Sequence, residues 1–404
     1  MFVPLWKVFR QRRQDHKQTY RERLACSKVL DFEIREFNHN EAYAAFYYYP
    51  EELVRLFERI SEKNLAIQSL LRRVPPIMLR QFGLSCIVDE VQSTSAVEGI
   101  HSTQRELKET LESLPNSQHF SSIIKKYNHL ISQEDIPLTT CEDVRRLYEE
   151  FAHDEVIRDN PNDKLDGRLF RANTVDIVSS SGKTLHRGLS PEEKIIEAVQ
   201  FALNFLYDET VPSLVRIAVF HYLFVYIHPF YNGNGRTARF ISSYQLSKVY
   251  HYLPALRLSL NIKRRRTAYY RLIRDTDSEI NCGDLTTFIY GFTKMILSAF
   301  EDVESVLERK LKQLERFRAK IPAADSLTRL LYDVLLQGCM FFGQGVSMSD
   351  LIQLTGKSRN TIKSKLDSLP VIVRREHKHF YKLNLFAISF ESPPVACVDI
   401  LTHA

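Results

Sequence analysis

Most of the chain carries apolar residues at the three- and four-residue spacing of α-helices, and alternating stretches are short and few. Residues 214–227 are apolar on almost every side, which predicts a helix buried at the centre of the fold. Residues 292–320 predict a long amphipathic helix that ends near Pro322. Its apolar stripe contains Val303, Leu307, Leu311 and Leu314. The low counts of glycine and proline, 13 and 15, agree with few turns, so the pattern predicts a mainly α fold.

One stretch, residues 167–192, breaks the helical pattern. Alternating apolar residues begin at Val175 and resume at Thr184, on either side of three serines and Gly182. This arrangement predicts a short β-hairpin whose turn is set by Gly182.

The last part of the chain, residues 324–404, has a different organisation. Leucines and valines at helical spacing predict one helix over 327–335, and Ser349 is a candidate N-cap of a second helix that ends at Gly356. A third helix is predicted over 360–369, followed by two strands around a polar turn. This order of elements is typical of a winged helix-turn-helix domain.

The 404 residues, 44% of them hydrophobic, are enough for one large core or two to three domains. We expect four parts: a charged lead-in at 1–40, a helical region at 41–130, a helical core at 131–323, and the winged domain at 324–404.

Composition restricts the cellular setting and the partners. The net charge of +6 is modest for this length and does not by itself indicate nucleic acid. The six cysteines have no CxxC spacing, which favours reduced thiols and a cytoplasmic protein. No apolar run reaches the roughly 18 residues that a membrane span needs, so we expect no membrane segment.

The strongest chemical signal is residues 228–239, His-Pro-Phe-Tyr-Asn-Gly-Asn-Gly-Arg-Thr-Ala-Arg. Its two glycines allow consecutive N–H groups to point at an anion where a helix begins. Arg236 and Arg239 are three residues apart, so both guanidinium groups can bind phosphate oxygens from one side of that helix. His228 can accept a proton from an attacking hydroxyl, so the segment predicts nucleotidyl or phosphoryl transfer.

At these residues the chain resembles the Fic (Fido) family, whose signature is His-x-Phe-x-(Asp/Glu)-Gly-Asn-Gly-Arg-x-x-Arg. The resemblance implies a helical core that transfers AMP from ATP to a Ser, Thr or Tyr hydroxyl of a target protein. It also assigns roles to the matching positions. His228 is then the general base, and Phe230 anchors the loop; the nucleotide is bound by Gly233, Asn234, Gly235, Arg236 and Arg239, with Tyr270 as a candidate for stacking on adenine.

Asn232 departs from this signature, because the family places a metal-binding carboxylate there. An amide oxygen can still be one ligand of an octahedral Mg²⁺ completed by water and phosphate oxygens. We therefore expect a weakened magnesium site at Asn232.

Residues 94–99, Thr-Ser-Ala-Val-Glu-Gly, resemble the inhibitory motif of the family. The resemblance implies that Glu98, within a motif that begins at Thr94 and ends at Gly99, pairs with Arg239 and blocks productive ATP binding. The alternative is a surface carboxylate at a helix end, with Gly99 as a C-cap and Thr103 opening the next helix.

The resemblance makes the 167–192 hairpin a flap that pairs with a target segment, with its edge at Thr174, Val175 and Asp176. Arg168 and Arg171 at its foot are candidate phosphate or target contacts, although arginines in such a loop are more often solvated or paired.

Residues 262–278 look helical and basic. Tyr270 and, more weakly, Asp277 are candidate adenine contacts within this segment, although neighbouring tyrosines on a helix more often pack in a core.

Basic residues in the winged domain allow DNA binding or protein binding equally well. They are Arg359, Lys363, Lys365, Arg374, Arg375, Lys378 and Lys382. A homodimer is also among the expected partners. Two alternatives to the AMP transferase stay open: a nucleotide-sensing, DNA-associated regulator with weak or no transferase activity, and a phosphotransferase that uses another donor.

Overall fold

The computed structural model describes residues 2–113, 121–178, 182, 184–321, 324–341 and 345–369, together with the backbone of the strands at 373–377 and 380–383. Its contacts form two units: Met1–Gln68 with Cys86–Glu304, and Ser69–Ser85 with Ser305–Ala404. Three long helices contribute residues to both units, at Glu51–Leu71, Pro76–Val97 and Thr286–Arg318.

The elements up to the foot of the hairpin are short except for two long helices. In chain order they are α1 (Leu5–Gln11), α2 (His16–Ala25), β1 (Lys28–Arg35), β2 (Ala42–Tyr47), α3 (Glu51–Leu71), α4 (Pro76–Val97), α5 (Gln104–Ser113), α6 (Ser121–Ser132), α7 (Cys141–Tyr148), a π-helical turn (Glu149–His153), α8 (Asp154–Asp159) and a 3₁₀ turn (Pro161–Asp163).

The remaining elements begin with the hairpin and continue to the last described strand. They are β3 (Asp176–Val178), β4 (Thr184–Arg187), α9 (Glu192–Leu206), α10 (Ser213–Ile227), α11 (Asn234–Val249), α12 (Tyr252–Ala255), α13 (Leu258–Arg264), α14 (Arg266–Asp277), a 3₁₀ turn (Glu279–Asn281), α15 (Thr286–Arg318), α16 (Ser326–Gly338), β5 (Val346–Ser347), α17 (Met348–Thr355), α18 (Arg359–Asp367), β6 (Val373–His377) and β7 (Phe380–Leu383).

The mainly α fold predicted from the sequence is confirmed. α10 is buried along nearly its whole length and packs against α9 and α11, as its uniformly apolar sequence predicts. The amphipathic helix is also present as α15, with the four residues of its predicted stripe all buried. Within the described residues, each helix is too short or too polar to cross a lipid bilayer.

The predicted hairpin is confirmed as the antiparallel pair β3 and β4. Gly182 has a positive φ of 77°, a conformation that glycine adopts without steric cost. The other residues around the turn, 179–181 and 183, lie outside the described part of the chain.

A second hairpin joins β1 to β2 and crosses residue 40, where the sequence suggested the end of a lead-in. Phe46 of β2 is completely buried and exchanges main-chain hydrogen bonds with Gly283 and Leu285. Arg23 of α2 donates to the carboxylate of Asp284 at 2.9 Å. Residues 1–40 therefore contribute two helices and a strand to the first unit.

Residues 262–278 are mostly helical, as expected, but they are divided between α13, which ends at Arg264, and α14, which begins at Arg266. Arg265 has a non-helical ψ of 31°. Like charges three or four residues apart destabilise a helix, and residues 263–266 are four consecutive cations. The break leaves the arginines of this run exposed while Tyr269 is buried.

The second unit has its own apolar core under α16, α17 and α18. Its three strands form an antiparallel sheet in the order β5, β7, β6. Gly356 ends α17 with a positive φ of 64°, as predicted. The N-cap of α17 is Ser347 rather than Ser349, because Ser347 and Asp350 form a reciprocal capping box. The winged-helix assignment stays a prediction.

Candidate active site

The site begins where α10 ends and α11 starts. Gly233 is the N-cap of α11 with φ at 80°, and a Cβ there would lie 3.2 Å from Tyr148 and 3.3 Å from Val156. Glycine is therefore required both by the backbone angle and by the packing. The first turn of α11 contains Gly235 and Arg236, as the spacing predicted, and its free N–H groups form the positive end of the helix dipole.

Asn234 and Phe230 hold the loop in shape. The Asn234 side chain is almost completely buried, donates to the Phe230 carbonyl at 2.8 Å and accepts from the Phe230 N–H at 2.9 Å. The Phe230 ring has no exposed surface and stacks on Tyr148, with the ring centroids 3.7 Å apart. These contacts fix the loop to the core.

His228 is the C-cap of α10 and adopts the left-handed conformation, with φ at 55° and ψ at 61°. Its Nδ1 lies 3.3 Å from the carbonyl of Val225, so Nδ1 carries the proton and donates it. Burial, with smaller effects of His186 and Arg171, lowers the pKa of His228 well below 6.5. The imidazole is therefore neutral near pH 7, with the Nε2 lone pair as a proton acceptor.

The interpretation of Arg171 as a solvated or ion-paired loop arginine is wrong. Its side chain is completely buried, and its guanidinium donates to main-chain carbonyls around His228. Carbonyl oxygens replace the water that a loop arginine would otherwise bind. Arg168, by contrast, is exposed.

Arg239 is buried beneath the end of α4. Its Nη2 donates to Glu98 Oε1 at 2.7 Å and to the Thr94 carbonyl at 3.0 Å, and its Nε donates to Thr94 Oγ1 at 2.9 Å. Among the described residues, Arg239 Nη1 has no hydrogen-bond partner. Thr94 and Glu98 of the 94–99 motif therefore both contact Arg239, the last arginine of the 228–239 segment.

Two features expected for residues 94–99 occur together: Gly99 caps α4, and Glu98 contacts Arg239. Gly99 has a φ of 84° and follows the end of α4, and the Ile100 N–H reaches the Ser95 carbonyl in the manner of a helix C-cap. Glu98 nevertheless points inward to Arg239. A Cβ on Gly235 would lie 2.2 Å from Glu98 Oε1, so the carboxylate occupies the space directly over the first turn of α11.

Sequence reasoning missed Glu155, which pairs with Arg236. Glu155 Oε2 of α8 lies 3.2 Å from Arg236 Nη1, and both side chains are almost completely buried. Within the described structure, Arg236 Nε and Nη2 have no hydrogen-bond partner, so part of the guanidinium is left for a ligand. The two residues are 81 positions apart, and no local motif connects them.

Asn232 lies at the side of the loop, close to Asp163. Its Oδ1 accepts the Gly233 N–H at 2.7 Å, and its Nδ2 donates to Asp163 Oδ2 at 3.2 Å. A carbonyl oxygen has two lone pairs, so Oδ1 keeps one for a cation, and Asp163 adds a carboxylate. Both oxygens are donors of the kind that Mg²⁺ prefers, with less charge than a carboxylate at position 232 would supply, but the amide presents Nδ2 rather than Oδ1 to Asp163.

The flap residues lie along β3 and just before it. Thr174 and Asp176 are exposed, and the Val175 carbonyl accepts the Gly188 N–H at 3.0 Å. Asp176 forms a two-pronged ion pair with Arg187 of β4. The edge that was predicted to meet a target is thus open to solvent at Thr174 and Asp176.

The candidate adenine contacts, Tyr270 and Asp277, differ in their exposure to solvent. Tyr270 is 42% exposed, and its hydroxyl donates to the Val97 carbonyl at 3.0 Å, so it borders the Glu98 site. Tyr269 is buried and bonds to His221, which places it in the core. Asp277 is buried and accepts a hydrogen bond from Tyr222 at 2.6 Å, and its role as an adenine contact stays a prediction.

Residues 139–246 match the sequence profile of the Fic/DOC family. A protein adenylyltransferase Fic of Drosophila willistoni is 28% identical over 168 residues, which cover 42% of this chain and 31% of the relative. The protein of the same name from Drosophila melanogaster is 28% identical over 127 residues, covering 31% of this chain and 23% of the relative. The chain thus matches less than a third of the length of these relatives.

A solved structure supports the fold assignment. A Fic family protein from Desulfovibrio desulfuricans G20 has a TM-score of 0.52 and 20% identity, covering 83% of this chain and 96% of that protein. At this identity the likeness concerns the fold alone. The matched range contains His228, the glycine-containing loop and both arginines, so this segment of the chain is similar to the Fic/DOC family.

Proposed function

We propose that this chain is a protein adenylyltransferase, which transfers AMP from ATP to a hydroxyl side chain of a target protein and is restrained by Glu98. The observation that carries the proposal is the Glu98–Arg239 contact at 2.7 Å, directly over the first turn of α11. The name of the Drosophila relatives supports the reaction type.

The chemical step uses a neutral His228. Nε2 accepts the proton of the target hydroxyl while the hydroxyl oxygen forms a bond to the α-phosphorus of ATP. The bond from that phosphorus to the bridging oxygen breaks, and pyrophosphate leaves. Because the pKa of His228 lies well below 6.5, we expect the base to be fully available at neutral pH.

Negative charge that develops on the phosphates is stabilised by fixed donors. The N–H groups at the start of α11 and the unpaired nitrogens of Arg236 and Arg239 would face this charge once Glu98 has moved away from Gly235. Asn232 and Asp163 would hold Mg²⁺, which supplies additional positive charge to the phosphates when it is bound. Thr174, just before β3, and Asp176, at its start, are exposed and suited to contact with an extended target segment.

Glu98 restrains this arrangement by occupying the guanidinium that would bind a terminal phosphate. The same carboxylate lies against Gly235, where negative charge repels a phosphate group. Removing Glu98 frees both positions and leaves Arg239 tied to Thr94.

The test is intact-mass analysis of the Glu98→Gly protein after incubation with ATP and Mg²⁺, with and without a candidate target. We expect a mass increase of one AMP, at least about 10-fold more frequent than in the wild type, which corresponds to about 1.4 kcal/mol. His228→Ala in the same background is the control and should abolish the increase. The absence of any AMP adduct, or an adduct of another mass, would contradict the proposal.

A further inference from the structure

Arg171 is the most unusual charged residue near the site, because its side chain has no exposed surface and bonds only to main-chain oxygens. Nε donates to the His228 carbonyl at 2.8 Å, and Nη1 donates to the Asn173 carbonyl at 2.5 Å. Nη2 donates to the Leu189 carbonyl at 2.7 Å and reaches the Ile227 carbonyl at 3.5 Å.

These carbonyls belong to three separate stretches of chain. Ile227 and His228 end α10, Asn173 precedes β3, and Leu189 follows β4. Two main-chain hydrogen bonds reinforce the junction, from Arg171 N to the Pro229 carbonyl and from Leu189 N to the Ile227 carbonyl. One guanidinium therefore ties both legs of the hairpin to the backbone of His228.

Burial of the charged Arg171 side chain reduces the stability of the folded protein. Within the described residues no carboxylate lies at ion-pair distance from its guanidinium, and burial lowers the pKa of Arg171. Buried charges in proteins are normally paired. A neutral side chain would avoid this cost but could not bond four carbonyls with one rigid, planar group.

Gly188 lies close to both the Arg171 guanidinium and the His228 side chain. A Cβ at this position would lie 2.3 Å from Arg171 Nη2 and 2.9 Å from the Cβ of His228. Any larger residue would push the guanidinium away from the histidine. The left-handed backbone of His228, with φ at 55°, also needs support from its surroundings.

We propose that Arg171 is a positioning residue, which fixes the backbone and ring of His228 relative to the β3–β4 hairpin. The inference rests on the proposed function, because it assumes that His228 is the base and that the hairpin presents the target. Arg171 touches no substrate in this scheme. Its part is to keep Nε2 of His228 aligned with a hydroxyl held on the hairpin.

The first measurement does not depend on catalysis. Protein labelled with ¹⁵N-histidine contains 13 histidines, and His228→Gln identifies the signal of His228. In the wild type we expect the neutral Nδ1–H form at pH 7. Arg171→Ala should shift this signal toward a mixture of tautomers or the charged ring, whereas Arg168→Met, a loss of an exposed arginine three residues away, should leave it unchanged.

The second measurement uses the activated Glu98→Gly background. Arg171→Ala should lower kcat by about 100-fold, the typical cost of misplacing a reacting group by about 1 Å, with the KM for ATP nearly unchanged. Added guanidinium ion should restore part of kcat by filling the vacated position, and ammonium should not. Gly188→Ala should reproduce the loss of kcat with Arg171 still present, which guards against a variant that simply fails to fold.

The outcomes separate the inference from the proposed function. A shifted His228 signal with no AMP transfer in Glu98→Gly supports the positioning role and contradicts the transferase. Active Glu98→Gly protein in which Arg171→Ala and Gly188→Ala leave both kcat and the His228 signal unchanged would overturn the inference. A parallel fall in kcat and ATP affinity without guanidinium rescue would also overturn it, because that pattern indicates a purely structural role.

Discussion

Arg236 and Arg239 lie one turn apart on α11, both are completely buried, and each is paired with a carboxylate, yet the two pairs differ. The partner of Arg236 is Glu155, whose side chain is 6% exposed. The partner of Arg239 is Glu98, which is 24% exposed and lies just beyond the end of α4. The first pair is enclosed by the fold, and the second is open to solvent on one side.

The difference indicates separate roles for two similar ion pairs. A buried pair cannot lose one partner without leaving an uncompensated charge, so Glu155 is suited to orienting Arg236 permanently. Glu98 can move away because Arg239 keeps its two hydrogen bonds to Thr94 and because the backbone turns at Gly99. We infer that only the Arg239 pair is built to open when a nucleotide or another ligand competes for it.

The largest expected effect comes from neutralising each carboxylate in turn. Glu155→Gln should lower the free energy of unfolding by about 3–5 kcal/mol, the usual cost of breaking a buried ion pair. Glu98→Gln should cost about 1 kcal/mol or less, since that pair is partly solvated. Urea unfolding of both variants at one pH measures the contrast. Equal losses would contradict the distinction between an enclosed and an open pair.

Glu90 of α4 is a further buried carboxylate to compare with Glu98 and Glu155. It faces α11, and in the described part of the chain its hydrogen-bond donors are serines. Glu90 precedes Thr94 by four residues, is completely buried, and accepts hydrogen bonds from the Ser259 N–H. Its hydroxyl neighbour on α11 is Ser243, one turn beyond Arg239. Burial raises the pKa of Glu90 from 4.5 to about 7, and hydrogen bonds from Ser259 and the charge of Arg239 only partly oppose this.

The second prediction follows from that raised pKa. The folded protein favours the protonated form of Glu90, so the wild type should lose stability as the pH rises from about 4.5 to about 7. Glu90→Gln removes this loss, and its stability relative to the wild type should improve between pH 5 and pH 8 by up to about 3 kcal/mol, at about 1.4 kcal/mol per pKa unit. Thermal unfolding at both pH values measures this difference.

The exposed Glu58→Gln is the matched control for Glu90 and should show no such pH dependence. A Glu90→Gln variant that becomes relatively less stable at pH 8 would show that the ionised carboxylate is the stabilising form. Glu90 would then resemble Glu155 instead of contrasting with it.

The sequence allowed prediction of the parts of this site that depend on local order. The buried α10, the glycine turn into α11 and the hairpin each follow from spacing within about 25 residues. The pairing of Glu98 with Arg239 spans 141 residues and came from family resemblance, because no periodicity connects the two positions.

The rest could not be predicted because it depends on which distant segments meet. Glu155 has an ordinary place in an acidic helix, and only the packing of α8 against α11 gives it a buried arginine. Arg171 has the sequence context of a solvated loop arginine, and its burial depends on α10 and on both legs of the hairpin. The cap of α17 did have a local signal, since Ser347 is followed three residues later by Asp350.

The smallest expected effect concerns Asn232, whose amide stands between Asp163 and the loop that presents both arginines. Asn232→Asp would bring two carboxylates about 3 Å apart, where their repulsion destabilises the protein without a cation. Mg²⁺ should relieve the repulsion, so the melting temperature should rise with Mg²⁺ more than in the wild type, by about 1 kcal/mol in equivalent free energy. Asp163→Asn combined with Asn232→Asp is the control, because it removes the second carboxylate and should remove both the destabilisation and most of the Mg²⁺ response. If Mg²⁺ left Asn232→Asp unchanged, position 232 would not be part of a magnesium site, and the two arginines and the helix N-terminus would have to stabilise the phosphates alone.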